Sequence, residues 1–267
     1  MGTDSLVRSA GRSAVLSRRQ LVQLVGSASL AAAALGACSN RPPTDAVSAS
    51  SAAPLPSSPP APVVSFPPAP SGVSAVMLCR DSWGASPPRH GGRPHTIVQM
   101  TIHHSAVTLE DNRVIADRLR QHQRYHQDGQ GWIDIAYHVG VDRKGNIFEL
   151  RTPELAGDTA TDYDPSGHFL VLCEGDFDVE PVSDDQLHSA AVAFAWAAQT
   201  FRLGPHTLAG HRDFASTSCP GTNLYARVAS GELKGRIEGL LAQGPVDLRT
   251  ICGPKAAAIV ESIEAGN

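Results

Sequence analysis

Short apolar runs with the character of buried strands recur along the chain from about residue 96 onwards. Thr96–Ile102 and Phe169–Cys173 are runs of mostly apolar residues, which is typical of strands covered on both faces. Ala136–Val141 and Ile147–Leu150 are separated by the turn-forming sequence Asp142–Asn146, which predicts a β-hairpin. These runs predict a sheet of several short strands.

Helical periodicity appears between and after the predicted strands. Ser183 followed three residues later by Gln186 indicates a helix N-terminus. The apolar residues that follow at helical spacing are Leu187, Ala191, Phe194, Ala198 and Phe201. Thr108–Asp111 resembles a second capping box, and a last helix is predicted over residues 224–242. Strands interleaved with helices predict an α/β domain with a central mixed sheet.

Residues 1–37 have the character of an export signal. Arg18 and Arg19 precede an uncharged stretch, residues 21–37, which is too short and too weakly apolar to predict a transmembrane helix. The paired arginines resemble a twin-arginine signal. Leu35–Cys38 is similar to a bacterial lipobox, which predicts an exported protein anchored in the cell envelope through a lipid on Cys38. The alternative is an ordinary signal peptide with an incidental cysteine.

Residues 38–76 are predicted to be a disordered linker. Ten of the 20 prolines lie between Ser39 and Val73, mixed with Ser and Ala, so little apolar surface is available to offset ordering. Proline at this density favours an extended tether with a reach on the order of 100 Å. A folded domain is then expected over residues 77–243, followed by a C-terminal extension with a short helix over residues 244–267.

The charge balance limits the possible partners. Without residues 1–37 the chain carries 18 Lys and Arg against 25 Asp and Glu. This acidic balance argues against nucleic acid as a partner. We expect a monomer that contacts the membrane only through its lipid anchor.

Two histidines and a cysteine are candidates for a metal site. Thr207–Gly210 predicts a short strand that delivers His211, and Cys219 follows eight residues later. The first predicted strand delivers His103, and strand alternation puts His103 and His104 on opposite faces. Two imidazoles and a thiolate make a three-ligand set for zinc, with a fourth position for water. Spacing alone leaves open a chance coincidence of scattered His and Cys.

Several motifs occur in order over about 150 residues of the chain. They are Ser82–Ala85, Ile102–Ala106, Gln123–His126, Gly131–His138, Asp142–Asn146, Glu174–Phe177, Gly210–Asp213 and Cys219–Gly221. Together they resemble the zinc-dependent N-acetylmuramoyl-L-alanine amidases, in the branch shared with the peptidoglycan recognition proteins. The resemblance implies a central mixed β-sheet flanked by helices, with zinc in a groove at one edge.

The resemblance also implies roles for individual residues. His103, His211 and Cys219 correspond to the ligands of one zinc ion per chain. Tyr137 falls where the family has a tyrosine close to the zinc-bound water, and Thr217 where relatives have Lys or Thr contacting the reacting carbonyl. The implied reaction is hydrolysis of the amide between N-acetylmuramic acid and L-alanine in peptidoglycan or muropeptides.

Alternative functions stay open at this point. Recognition proteins that bind muropeptides without cleaving them usually lack the cysteine, so Cys219 favours an enzyme. A zinc hydrolase for another amide is the third possibility. The proton donor for the leaving amine is not identified, because Phe169–Cys173 contains no carboxylate and Glu174 follows its end. The sequence assigns neither the substrate-binding residues nor the preferred peptide and sugar chemotype.

Other polar residues have more than one interpretation. Asp213 could orient His211 or could form a surface salt bridge. His122 and His126 are expected to be core histidines rather than zinc ligands. His104 either lines the groove or forms a hydrogen bond within the core.

One segment departs from the family pattern. Relatives usually carry a Gly-Ala-His type sequence where this chain has Leu155–Thr161. The segment is expected to border the groove without touching the zinc ligands.

The remaining cysteines are sorted by their surroundings. Cys173 lies in an apolar run and is expected to be a buried free thiol. Cys79 and Cys252 lie near the two ends of the folded region, where an envelope location permits a disulfide, although free thiols are equally open.

Overall fold

The computed structural model of the protein describes residues 72–266. The predicted signal peptide, Cys38 and most of the predicted linker lie outside these residues. Over residues 72–266, no helix has both the length and the apolar character needed to cross a bilayer.

A mixed sheet of seven strands forms the centre of the described region. The strands are β1 (Val73–Leu78), β2 (Gln99–His104), β3 (Val139–Val141), β4 (Ile147–Glu149), β5 (His168–Cys173), β6 (Leu208–Gly210) and β7 (Val246–Ile251). Their order across the sheet is β6-β2-β5-β3-β4-β1-β7. Neighbouring strands are parallel except in the β3–β4 hairpin. The predicted mixed sheet and hairpin are confirmed.

Helices cover both faces of the sheet. They are α1 (Ile115–Arg124), α2 (Asp184–Phe201), α3 (Thr222–Ala229), α4 (Glu232–Ala242) and α5 (Gly253–Glu264). Helices α2, α3 and α4 bury their apolar residues against one face. Helices α1 and α5 pack with Trp83 on the other. The Ser183 hydroxyl accepts the Gln186 N–H at the start of α2, as predicted.

Strand alternation decides on which face the functional residues lie. In β2, Met100 and Ile102 belong to the core beneath α2. Successive side chains of a strand point to opposite faces, so Thr101 and His103 point to the side of α1. His103 is therefore on the same side as Tyr137, which packs against the α1 core.

The ends of the folded domain differ from the prediction. Strand β1 begins at Val73, inside the predicted linker, because it pairs in parallel with β7 from Val73 and Val246 onwards. The C-terminal extension contributes β7 to the sheet in addition to its helix α5. The folded domain therefore starts before residue 77 and continues beyond residue 243.

Two helix boundaries in the structure also differ from the prediction. The predicted helix over residues 224–242 is two helices, α3 and α4, because Gly231 between them has a left-handed φ of 77°. Asp111, rather than Thr108, caps the turn before α1, since its side chain accepts the Arg113 N–H.

Among the described residues, the cysteines outside the candidate site are paired or buried. Cys79 and Cys252 follow the ends of β1 and β7 and form a disulfide with a Cα–Cα distance of 5.3 Å. The structure thus contains the pairing that the sequence left open. Cys173 is a buried free thiol, as predicted.

Candidate active site

His103, His211 and Cys219 come together where β2 and β6 end. One possible ligand atom from each residue lies within 4.8 Å of the other two, and all three residues are buried. The Cys219 Sγ is 3.6 Å from His103 Nδ1, and the two imidazole centroids are 4.7 Å apart. The three predicted ligands thus form one cluster.

The turn after β6 is built to hold His211 in this position. Gly210 packs tightly, because a Cβ there would lie 2.9 Å from the Tyr225 ring. The Asp213 carboxylate accepts the Gly210 N–H and the Tyr225 hydroxyl. Within the described residues, Asp213 therefore closes the turn, and neither role that the sequence left open for it is seen.

Burial sets the protonation of the cluster. It lowers the pKa of His211 to about 4 and that of His103 well below its ordinary value. It raises the pKa of the Cys219 thiol to about 12. At neutral pH both imidazoles are neutral and keep a lone pair, whereas the thiol loses its proton only when a cation compensates its charge.

The cluster fits a zinc ion. Tetrahedral zinc with Zn–S of ≈ 2.3 Å and Zn–N of ≈ 2.0–2.1 Å requires a sulfur–nitrogen separation of about 3.6 Å. The distance between Cys219 Sγ and His103 Nδ1 is 3.6 Å. Neutral imidazoles and a thiol are also a donor set that suits zinc.

The cluster opens into a groove of ≈ 560 Å³. Helix α1 and the turn after it supply Arg118, Gln121, His122, Tyr125 and His126 to the lining. Residues 158–161 and 217–219 also line the groove, and Trp132 joins them. A ligand bound here would contact both the cluster and the exposed side of α1.

Tyr137 and Thr217 share this groove with the cluster. The Tyr137 ring centroid is 5.1 Å from that of His103. Burial raises the pKa of Tyr137, so its phenol keeps the proton and can donate a hydrogen bond. The Thr217 Oγ1 accepts the Cys219 N–H at 3.2 Å, which leaves its hydroxyl hydrogen free to donate.

The other nearby histidines lie outside the cluster. His126 Nδ1 accepts the Ala136 N–H, and burial lowers the pKa of His126 to about 3. His104 points to the opposite face, where its Nδ1 accepts the Phe177 N–H at 3.4 Å. His126 is buried as predicted, but it also lines the groove, and His122 is only half-buried there. His104 both forms this hydrogen bond and lines the groove, so both of its alternatives are met.

Glu174 and His122 form a buried pair beside the groove. The Glu174 carboxylate is completely buried, and its Oε1 is 3.0 Å from His122 Nε2. The sequence placed Glu174 just past the end of a strand but did not predict this partner. The two residues are 52 positions apart, and only the packing of α1 against the end of β5 brings them together.

Thr161 contacts a member of the cluster directly. Its Oγ1 is 2.8 Å from His211 Nε2. The expectation that Leu155–Thr161 would border the groove without touching the predicted ligands is therefore wrong. Nothing in the local sequence signals this contact, because Thr161 is a polar loop residue 50 positions before His211.

Comparison with known proteins places the chain and its fold in a family. A sequence model described as N-acetylmuramoyl-L-alanine amidase matches residues 93–222. Peptidoglycan-recognition protein LB of Drosophila melanogaster is 31% identical over 167 residues, which cover 59% of this chain and 69% of that protein. The chain belongs to the family of type 2 N-acetylmuramoyl-L-alanine amidases and peptidoglycan recognition proteins.

Both branches of this amidase and recognition protein family are among the relatives. The N-acetylmuramoyl-L-alanine amidase of Sus scrofa is 32% identical over 154 residues, which cover 55% of this chain but only 25% of the pig protein. The solved structure of wild-type Drosophila recognition protein LB has a TM-score of 0.53 and 26% identity, covering 59% of this chain and 94% of that chain. The predicted family and fold are confirmed, and the relatives include both amidases and recognition proteins.

Proposed function

We propose that the protein is a zinc-dependent amidase that cleaves the bond between N-acetylmuramic acid and the L-alanine of a peptidoglycan stem. The observation that carries this proposal is the buried cluster of His103, His211 and Cys219 at the floor of an open groove. A zinc ion held there would polarise the amide carbonyl and make water nucleophilic near neutral pH.

The side chains of the cluster and around it would hold the metal and stabilise the charge that develops during hydrolysis. The lowered pKa values of His103 and His211 keep both imidazoles neutral and able to hold the metal at neutral pH. Tyr137 and Thr217 are hydrogen-bond donors beside the cluster, placed to stabilise negative charge that develops on the carbonyl oxygen. Removal of one such donor typically lowers the rate ~100-fold or more.

Binding of muropeptides without cleavage is the second candidate function, because the family includes recognition proteins. A variant of Drosophila recognition protein LB, 26% identical to this chain with a TM-score of 0.53, has been solved in complex with tracheal cytotoxin. That complex supports a peptidoglycan fragment as the ligand of the groove here. The complete His-His-Cys cluster, with Tyr137 beside it, favours turnover over binding alone.

The test is incubation of the purified protein with cell-wall sacculi, followed by mass analysis of the products. We expect intact glycan strands and free stem peptides that begin with L-alanine. A chelator should abolish the release, and added zinc should restore it. Cys219→Ser should lower the rate at least ~100-fold, whereas Cys173→Ala, which changes the other free thiol of residues 72–266, should retain activity.

Other outcomes separate the candidates. Muropeptide binding by the zinc-loaded protein with no released peptide would identify a recognition protein. Undiminished turnover by Cys219→Ser, or in the presence of chelator, would contradict a zinc mechanism.

A further inference from the structure

A short series of hydroxyl groups leads from the groove wall to the imidazole of His211. Thr161 Oγ1 is 2.8 Å from His211 Nε2, and Thr159 Oγ1 is 2.8 Å from Thr161 Oγ1. The backbone N–H of Thr161 also donates to Thr159 Oγ1, at 3.2 Å. The two hydroxyls are therefore held in place relative to each other as well as to the imidazole.

This series bears on which nitrogen of His211 can bind a metal. A neutral imidazole carries one proton, and the other nitrogen has the free lone pair. If Nε2–H donates to Thr161 Oγ1, the Thr161 hydroxyl can donate onward to Thr159 Oγ1. Thr159 Oγ1 then accepts from both the hydroxyl and the N–H of Thr161, and Nδ1 of His211 is left without a proton. The opposite direction would put the proton on Nδ1.

Within the described residues, the other groups near His211 do not form a hydrogen bond with its Nε2. Asp213, the nearest carboxylate in the sequence, accepts from Gly210 and Tyr225 instead. Tyr163 lies with its ring centroid 5.0 Å from that of His211, but its buried hydroxyl has no hydrogen-bond partner among the described residues. The hydrogen bond to His211 Nε2 therefore comes from the segment Leu155–Thr161.

We propose that Thr161, supported by Thr159, is a positioning residue that holds the proton of His211 on Nε2 and presents Nδ1 to the metal. The inference rests on the metal centre of the proposed function. Partners that orient a metal-bound histidine in this way typically change metal affinity 10–100-fold. The segment Leu155–Thr161 would then tune the metal centre as well as border the groove.

Zinc affinity of the purified protein, measured by competition with a chromophoric chelator, tests this role. We expect Thr161→Val to weaken zinc binding roughly 10–100-fold. Thr161→Ser keeps the hydroxyl and should bind zinc about as tightly as the unaltered protein. Thr161→Ala is a second variant without the hydroxyl, in case the valine is not tolerated in the loop.

The tautomer itself gives an independent readout in the metal-free protein. Nitrogen NMR of the histidine side chains should show the His211 proton on Nε2 in the unaltered protein and in Thr161→Ser. In Thr161→Val, or in Thr161→Ala, the two tautomers should be mixed. A merely structural effect of the loop would lower the unfolding temperature without changing the tautomer.

The outcomes distinguish this inference from the proposed function. If the unaltered protein binds zinc and Thr161→Val and Thr161→Ala bind it equally well, only the positioning role is overturned. If the unaltered protein does not bind zinc, both are overturned.

Discussion

The Glu174 carboxylate lies in the least favourable environment for a charge at the candidate site. It is completely buried, and its Oε1 lies 3.0 Å from Nε2 of the His122 imidazole, of which only 15% is exposed. A buried charge is tolerated when it is paired and becomes costly when its partner is removed. His122 is therefore tied to the fold by Glu174 while its ring lines the groove.

The pair predicts an asymmetric effect of substitution on stability. His122→Leu leaves the carboxylate buried without its partner and should lower the free energy of unfolding by about 3–5 kcal/mol. Glu174→Leu leaves only a partly exposed imidazole without its partner and should cost at least ~2 kcal/mol less, because that ring stays in contact with water. Urea denaturation of each variant measures these changes.

The double variant is the control for this prediction. His122→Leu combined with Glu174→Leu should be more stable than His122→Leu alone, because the unpaired carboxylate is gone. Equal costs for the two single variants, or strictly additive costs in the double variant, would show that the pair is not coupled in this way.

The break between α3 and α4 depends on the conformation of a single glycine. Gly231 has a φ of 77°, whereas Gly235 lies inside α4, and an added Cβ meets no heavy atom within 4 Å at either position. Gly231→Ala should lower the free energy of unfolding by about 1 kcal/mol through left-handed strain. Gly235→Ala should raise it by up to ~1 kcal/mol through helix propensity. Chemical denaturation measures both.

The opposite signs make the two variants controls for each other. Equal effects of Gly231→Ala and Gly235→Ala would mean that the backbone at Gly231 relaxes to a right-handed conformation. The two helices would then join, as the sequence pattern suggested.

The helices and strands show which secondary-structure elements the sequence can predict and which it cannot. The apolar runs of β2 and β5, the β3–β4 hairpin and the cap of α2 are local patterns, and all were predictable. The break at Gly231 was not, because Gly235 and Gly239 occur inside α4 and glycine alone does not mark its end. Strand β1 was missed because it follows a proline-rich stretch, and its partner β7 is remote in sequence.

The candidate site also contains residues that the sequence could predict and residues that it could not. The cluster of His103, His211 and Cys219 could be predicted because the motifs around these residues resemble those of a family. Thr161 and the Glu174–His122 pair could not, because each contact joins residues 50 or 52 positions apart through the tertiary packing.

Across the whole molecule, the disulfide closes a long stretch of chain. Cys79 and Cys252 are 173 positions apart and join the ends of neighbouring strands β1 and β7. A cross-link of this span stabilises mainly by restricting the unfolded chain. Replacing both cysteines by serine should lower the free energy of unfolding by about 2–5 kcal/mol, as measured by denaturation without reductant.

Zinc affinity is the companion measurement for that double variant. The disulfide lies beyond the carboxyl ends of β1 and β7, whereas the cluster lies on β2 and after β6. Cys79→Ser with Cys252→Ser should therefore bind zinc as the unaltered protein does. Loss of zinc binding without loss of stability would contradict this separation.

The strand direction reverses at the β3–β4 hairpin. Strands β6, β2, β5 and β3 therefore run in one direction, and strands β4, β1 and β7 run in the opposite direction. Strand β1 consequently starts at the sheet edge where β2 ends, with a lateral separation of four strand spacings, or about 19 Å. Its first residue, Val73, lies four residues beyond Met77, which is level with His104. A bulky tag or a bead coupled directly at residue 72 would therefore lie at the same edge of the sheet as the groove. With the proposed function, a block at this position would hinder long glycan strands more than small fragments, so a carrier is better attached elsewhere.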